Sequence, residues 1–325
     1  MMIFLMCSER SGSNLLTNLF DTHKDVCGPY PKHLFNPVLR NLYRYGDLED
    51  PVRWNALLED IARLMGVAFT TWRSSFSPDL LRKLAGDHDI YRLLEKIYLE
   101  EMQANGKRHV FVKENQLYEF FPYLLEHFRD ARYIYQVRDP RDMALSWKKH
   151  PAHRGGVVTA AKQWKQDQQG YLKCFRLLQE RDRAYMLTYE GLLQAPQQVL
   201  QEACGFLGLA YDPGMLQQHM NEASSAHAKE FPAWENLSKP IMAENSNKFM
   251  AELSEAEIKA IEHICYDEML FLGYEPLFAR EACASVASEL PVMELEDFRT
   301  IAYRPKEGVV ANMEAKTVFY RKRFN

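Results

Sequence analysis

The sequence has no Cys-x-x-Cys pair. Its six cysteines, Cys7, Cys27, Cys174, Cys204, Cys265 and Cys283, stand apart from one another. No Cys/His spacing fits a zinc site, so no metal is expected. Several thiols sit in apolar surroundings, such as Cys204 in EACGFLGL. Free, buried thiols in a reducing cytoplasm are the expectation. No apolar run approaches the roughly 20 residues that cross a bilayer, so no membrane span is expected. The initial MMIFLMC is too short for a signal-peptide core and has no basic flank. A basic surplus is also missing: 40 Lys and Arg stand against 44 Asp and Glu, a net charge of -4. That argues against a nucleic-acid partner, although net charge does not bear on a single cleft. The 325 residues, 47% of them apolar and 26% charged, suit one large core or two modest domains of ordinary globular type.

The opening segment MIFLMCSERSGSNLLTNLF shows what the chain has instead. Ile3–Cys7 is continuously apolar and ends at small polar residues, which predicts a buried strand. Gly12–Thr22 carries Leu15, Leu16, Leu19 and Phe20 at helical spacing. A loop between a strand and a helix N-terminus aims backbone N–H groups at an anion, and the helix dipole adds to the attraction. Ser8–Asn14 has the small residues such a loop needs, and Gly12 lets the backbone come close. Yet the nucleoside-triphosphate pattern GxxxxGK[ST] is absent. Its first Gly is missing, and Ser13-Asn14 follows Gly12 where Lys and a hydroxyl residue are required. That counts against ATP or GTP hydrolysis. Alone, the segment also reads as a plain strand–helix turn.

Downstream, strands and helices alternate. The stretch from about Pro37 to Gln103 looks mostly helical, with stripes such as WNALLEDIARLM and IYRLLEKIYLEEM. HVFVKEN, ARYIYQV and AYMLTY are further strands, the last over Ala184–Tyr189. Helices are expected from about Arg141, over Val157–Gln179, and over QQVLQEACGFLGL to near Gly208. SEAEIKAIEHICYDEMLFLGY opens with Ser254 as N-cap and Glu257 at the capping-box position. This alternation predicts an α/β fold with a central parallel sheet flanked by helices. No internal repeat is found. After Pro276 the pattern weakens, and the basic tail KTVFYRKRFN has no evident role.

ERSGSNLL resembles the 5′-phosphosulfate loop of sulfotransferases that use 3′-phosphoadenosine 5′-phosphosulfate (PAPS). There a basic residue precedes a run of small hydroxyl residues, as Arg10 precedes Ser11-Gly12-Ser13; Asn14 departs from the usual Ser or Thr but still donates. A second element strengthens the resemblance. YQVRDPRDMALSW is similar to the family's 3′-phosphate motif, a strand ending in Arg with a Ser eight residues later, here Arg138 and Ser146. Arg forks onto phosphate oxygens and the Ser hydroxyl adds a bond. Tyr189 in YEGLL resembles a nucleotide contact. LSKPIMAENSNKFM resembles the late segment of tyrosylprotein sulfotransferases, with Lys239-Pro240 and Lys248 at matching spacing. Bacterial sulfotransferases are similar too. The resemblance covers residues 2 to about 276, apart from a helical insertion at about 37–105 taken as a wall over the site. It implies a P-loop NTPase-like three-layer fold, a sulfotransferase domain over 1–276 and a C-terminal extension over 277–325.

The same resemblance implies in-line sulfuryl transfer from PAPS to a hydroxyl or amine, by positioning and charge stabilisation, without metal. The cofactor-binding set is Arg10, Ser11, Gly12, Ser13, Asn14, Arg138, Ser146, Tyr189, Lys239 and Lys248. Arg10 would offset charge on the leaving oxygen, and Lys113 at the end of HVFVK is the second catalytic cation. Glu114 could pair with Lys113 or act as a base. Several relatives carry a Glu soon after the first helix, where this chain reads VCGPYPKHLF. His33 is the nearest titratable residue and the candidate base, with Lys32 beside it; His109, His150 and His153 are further candidates. Trp147, Trp164, Trp72, Phe69 and Phe76 could frame an acceptor or adenine, but such stripes are more often core. The acceptor is a small molecule, glycan, lipid or peptide, and oligomeric state is not readable. A kinase-like phosphotransferase and a non-catalytic nucleotide-binding protein are the competing readings.

Overall fold

The computed structural model describes residues 1–67, 72–220, 238–298 and 305–322. Among the described residues, the sheet has strands β1 (Met2–Cys7), β2 (Val26–Cys27), β3 (His109–Lys113), β4 (Arg132–Val137) and β5 (Ala184–Thr188) in the order β2-β3-β1-β4-β5. β1 with β3, β2 with β3, and β4 with β5 pair in parallel. Every residue of β1 is buried, as its unbroken apolar run requires of a strand covered on both faces. The parallel sheet with flanking helices is the P-loop-like α/β architecture expected from the sequence. No helix among the described residues is long and apolar enough to cross a membrane.

The residues group into two compact units. The first comprises Met1–Leu5, Leu16–Arg132 and Pro305–Asn325. Register Met2↔Val110 to Leu5↔Lys113 ties β1 to β3. Phe20, from helix α1 (Ser13–Thr22), stacks on Phe111 at 4.5 Å, and Phe4 meets Phe128 edge-on at 5.3 Å. Helices α2 (Phe35–Asn41), α3 (Pro51–Gly66), α4 (Pro78–Ala85), α5 (Ile90–Ala104) and α6 (Phe121–His127) follow in this unit. Asp50, Ser77 and Asp89 cap α3, α4 and α5 with side-chain oxygens, so each helix starts where the sequence offers a cap.

The second unit comprises Met6–Leu15 and Tyr133–Arg304. β4 and β5 pair from Tyr133↔Ala184 to Val137↔Thr188. The helices are α7 (Pro140–Lys149), α8 (Gly156–Gln179), α9 (Tyr189–Gln194), α10 (Pro196–Leu207), α11 (Phe249–Glu252), α12 (Glu255–Phe271), α13 (Arg280–Ala284) and α14 (Leu290–Phe298). α7, α12 and α14 all pack on α8, whose Trp164 and Tyr171 are fully buried. The predicted capping box is present: Ser254 Oγ accepts from Glu257 N, and Ser254 N donates to Glu257 Oε2. Tyr189 begins α9 instead of ending β5, because Thr188 caps that helix by accepting from Gly191 N. Past Pro276, where the sequence pattern fades, α13 and α14 lie in this unit, whereas α15 (Glu307–Arg321) packs on α2 and α3 in the first.

Candidate functional site

In open parallel α/β sheets, ligands bind beyond the carboxyl ends of the strands. The candidate residues of both units follow such ends. In the second unit, Ser8–Asn14 follows β1, Arg138 follows β4, and Tyr189 follows β5.

The anion loop is held from its own unit. Ser11 Oγ donates to Ser8 O (2.6 Å), Gln168 Nε2 to Ser8 Oγ (2.8 Å), and Gln136 Nε2 to Ser11 O (3.1 Å). Gln168 is oriented in turn by Tyr135 Oη at 2.5 Å. Ser13 and Asn14 open α1, whose first turn is closed by Leu15 N donating to Gly12 O (3.0 Å). Arg10 stands at φ +61° and Gly12 at φ +83°. A Cβ on Gly12 would lie 2.2 Å from the Tyr189 ring. Gly12→Ala therefore combines a left-handed penalty of about 1–2 kcal/mol with a clash no rotamer relieves. The expected result is a lower melting temperature and lost nucleotide binding, checked by thermal unfolding and calorimetry; a variant as stable as wild type would show that Tyr189 moves freely.

The two segments that resemble phosphate motifs converge. Arg10 Nε donates to Ser146 Oγ at 3.1 Å, and Arg138 Nη1 donates to Arg10 O at 2.9 Å. Arg138 lies over the Tyr189 ring at 4.5 Å, while Asn245 Nδ2 donates to Tyr189 Oη at 2.6 Å. Trp164 Nε1 fixes Arg138 O at 2.9 Å. Arg138 is buried and Arg10 half-buried, and Arg138 Nε has no hydrogen-bond partner among the described residues. Burial, then the Arg138 charge, lowers the Arg10 proton affinity, with Glu9 acting in the opposite direction. Two adjacent guanidiniums, Arg138 buried and Arg10 half-buried, and an orphaned donor beside a helix N-terminus favour an anion of high charge density. These residues fit a nucleotide carrying phosphates at both ends.

Further partners complete this side. Glu190 accepts from Asp139 N (3.0 Å) and Tyr274 Oη (2.9 Å). Asp142 accepts from Asn247 N and Phe249 N, on either side of Lys248. Lys239 accepts through its carbonyl from Gln218 Nε2 at 3.3 Å. Trp147 stacks on His153 at 4.0 Å, and His153 lies 4.6 Å from His150. Burial lowers both imidazoles, His150 to about 4 and His153 to about 3; Arg10 contributes to each, and His150 also to His153. Both are therefore neutral near pH 7.

His33 and Lys113 belong to the first unit. Lys113 ends β3. His33 stands at φ +54°, and its Nδ1 faces Glu114 Oε2 at 3.8 Å; neither atom has a hydrogen-bond partner among the described residues. Glu114 is completely buried. Its Oε1 accepts from Leu34 N (2.7 Å), Phe35 N (3.3 Å) and Tyr98 Oη (2.8 Å). Burial lowers the His33 pKa first, Glu114 raises it, and Lys316 and Lys113 lower it further. Lys32 is buried too, donates to Val67 O at 2.7 Å, and is pushed down to about 8 by burial. Trp72 and Phe76 are core residues; Phe69 lies outside the described residues. Asn245 was not singled out by the sequence, and no local signal marks it. Asp142 lies inside YQVRDPRDMALSW but was not singled out by the sequence either.

A sulfotransferase family model matches residues 3–213. No curated protein matches the chain by sequence. Among solved structures, the sulfotransferase domain from the curacin biosynthetic pathway aligns with a TM-score of 0.54 at 19% identity, covering 84% of this chain and 97% of that one. The sulfotransferase domain from the Synechococcus PCC 7002 olefin synthase aligns at 0.53 and 19%, covering 82% and 94%. Mouse sulfotransferase SULT7A1 complexed with PAP aligns at 0.46 and 12%, covering 82% and 84%. The first two share the fold. The family match runs from the first strand through the anion loop and the Arg138–Ser146 motif, and on that ground the chain belongs to the sulfotransferase family.

Proposed function

We propose that this sulfotransferase takes its sulfuryl group from PAPS and passes it to a hydroxyl or amine of a small molecule, glycan, lipid or peptide. One observation carries the reading: Arg10, Ser146 and Arg138 are joined by bonds of 3.1 and 2.9 Å, so the 5′- and 3′-phosphate motifs form one cationic cradle. Ser11, Gly12, Ser13 and Asn14 hold the 5′ side, and Arg138, Ser146, Lys239 and Lys248 the 3′ side, with Tyr189 against the nucleotide. The acceptor oxygen or nitrogen attacks sulfur in line, and the bond from sulfur to the phosphate oxygen breaks. Arg10 and Lys113 offset charge on the leaving adenosine 3′,5′-bisphosphate (PAP). His33 takes the acceptor proton on Nε2. Its Nδ1 faces the Glu114 carboxylate at 3.8 Å, whose charge favours the imidazolium against the opposing effect of burial. This pairing supports a base where the expected Glu is missing, and so weighs against a non-catalytic role. The six cysteines are buried and none is in a disulfide, which supports a cytoplasmic location.

Calorimetry with PAP, 5′-AMP and ATP in metal-free buffer tests the donor. PAP should bind clearly more tightly than 5′-AMP. Arg138→Ala should remove about 1.5–3 kcal/mol of that preference, roughly ten- to a hundred-fold. Equal binding of PAP and 5′-AMP by the wild type would overturn the proposal.

A further inference from the structure

The segment Asn245–Phe249 is gripped by residues that flank the anion loop. Asn245 donates to Tyr189 Oη at 2.6 Å and accepts through its carbonyl from Arg138 Nη2 at 3.4 Å. Asn247 stands at φ +59°, a left-handed conformation that costs an L side chain free energy and persists only where its surroundings enforce it. The N–H groups of Asn247 and Phe249 meet one carboxylate. Asp142 Oδ2 accepts the first at 2.6 Å, and Oδ1 the second at 3.0 Å. The Phe249 ring is buried beneath the Arg141 guanidinium at 4.3 Å. Lys248 therefore lies between two clamped amides.

Asp142 is 1% exposed, in the first turn of α7, on the element that also carries Ser146. A buried carboxylate beside an anion site is unfavourable unless its oxygens are satisfied. Here both oxygens are satisfied by the backbone of a segment 105 and 107 residues away. A helix needing only an acidic first-turn residue would leave that side chain exposed at its own N-terminus.

We propose that Asp142 is a positioning residue of the donor site: it latches Asn245–Phe249 and thereby presents Lys248 to the 3′-phosphate alongside Arg138. The inference rests on the PAPS reading above and deepens it. Support for a binding group by a buried neighbour of this kind sets geometry without touching the ligand.

The test is calorimetry of PAP and 5′-AMP on wild type, Asp142→Asn, Lys248→Ala and the double variant, with donor and acceptor kinetics alongside. Asn keeps the size of the side chain but offers one acceptor oxygen, so one amide loses its partner. Asp142→Asn should bind PAP about ten-fold more weakly and 5′-AMP as wild type does. The donor KM should rise while kcat holds, and the double variant should bind PAP no more weakly than Lys248→Ala alone. Additive losses, or equal losses for PAP and 5′-AMP, would overturn the latch, because a general structural role gives both. A wild type without PAP preference would overturn the donor reading itself, and the latch with it. If Asp142→Asn does not fold, Asn247→Ala tests the same segment, since it keeps the carboxylate and both amides but strains the turn. A selective loss of PAP affinity supports the latch, and unchanged binding overturns it.

Discussion

Arg141→Ala should lower the free energy of unfolding by about 3–5 kcal/mol, the range for breaking a buried ion pair from one side. The Arg141 side chain is 6% exposed, and its partners Asp139 and Glu262 are 5% and 0% exposed. Nε and Nη2 fork onto the two Asp139 oxygens at 2.9 and 2.7 Å, while Nη1 bonds Glu262 Oε1 at 2.8 Å and Glu275 O at 3.1 Å. Glu262 also accepts from Leu277 N and Phe278 N, so this one cation ties α7, α12 and the chain beyond Pro276 together. Without it, two buried carboxylates lose their shared cation. Urea denaturation of wild type, Arg141→Ala and Arg141→Met measures the loss. Met restores volume but not charge, so it should recover little. A loss under about 1 kcal/mol in both variants would mean that water reaches the carboxylates, as in exposed pairs. PAP affinity should fall with stability, because Asp139 adjoins Arg138 and its N–H is held by Glu190.

What the sequence made legible was local. β1, the anion loop and α1 follow from one continuous run, and Ser254 with Glu257 announces a helix start within four residues. Arg138 and Ser146 were readable as a pair through the resemblance to the family's 3′-phosphate motif, and in the structure both meet Arg10. Long-range partners were not legible. Glu114 adjoins Lys113 in sequence, but successive side chains of an extended chain point to opposite sides. Glu114 instead turns inward to the amides of Leu34 and Phe35, some 80 residues away. β2 has two residues, too few to show a period, and exists through its pairing with β3. Of the helices beyond Pro276, α13 packs on the neighbouring α12, whereas α14 and α15 pack on elements far away in sequence. α15 buries Ala315 and Phe319, bonds Asn36 through Tyr320, and is followed by Lys322, which pairs with Asp60 at 2.9 Å. The described part of the basic tail, through Lys322, thus packs within the first unit.

His33→Ala should reduce kcat by about 10²- to 10⁴-fold while leaving PAP affinity unchanged, the range for removing a general base. The pH profile separates a base from a packing residue. Burial, Lys316 and Lys113 hold the His33 pKa below the ordinary imidazole value against the opposing pull of Glu114. The acid limb of kcat/KM, which reports the free enzyme, should therefore lie below about pH 6.5. Glu114→Gln removes an anion that stabilises imidazolium, so it should move that limb to lower pH. Gln retains an oxygen for the amides of Leu34 and Phe35, which keeps the fold comparable. Lys316→Ala removes a cation that opposes protonation, so its limb should move to higher pH. Folding is linked to the same titration. A histidine whose folded pKa is depressed gives full stability above its unfolded value and loses it as pH falls toward the folded one. His33 behaves so, as do His150 and His153, whose folded values are about 4 and 3. Melting curves at each assay pH distinguish the catalytic limb from acid unfolding. Opposite displacements in Glu114→Gln and Lys316→Ala, in protein that remains folded, identify His33 as the titrating base. An unchanged kcat in His33→Ala, or limbs that do not move, would assign the proton to another group.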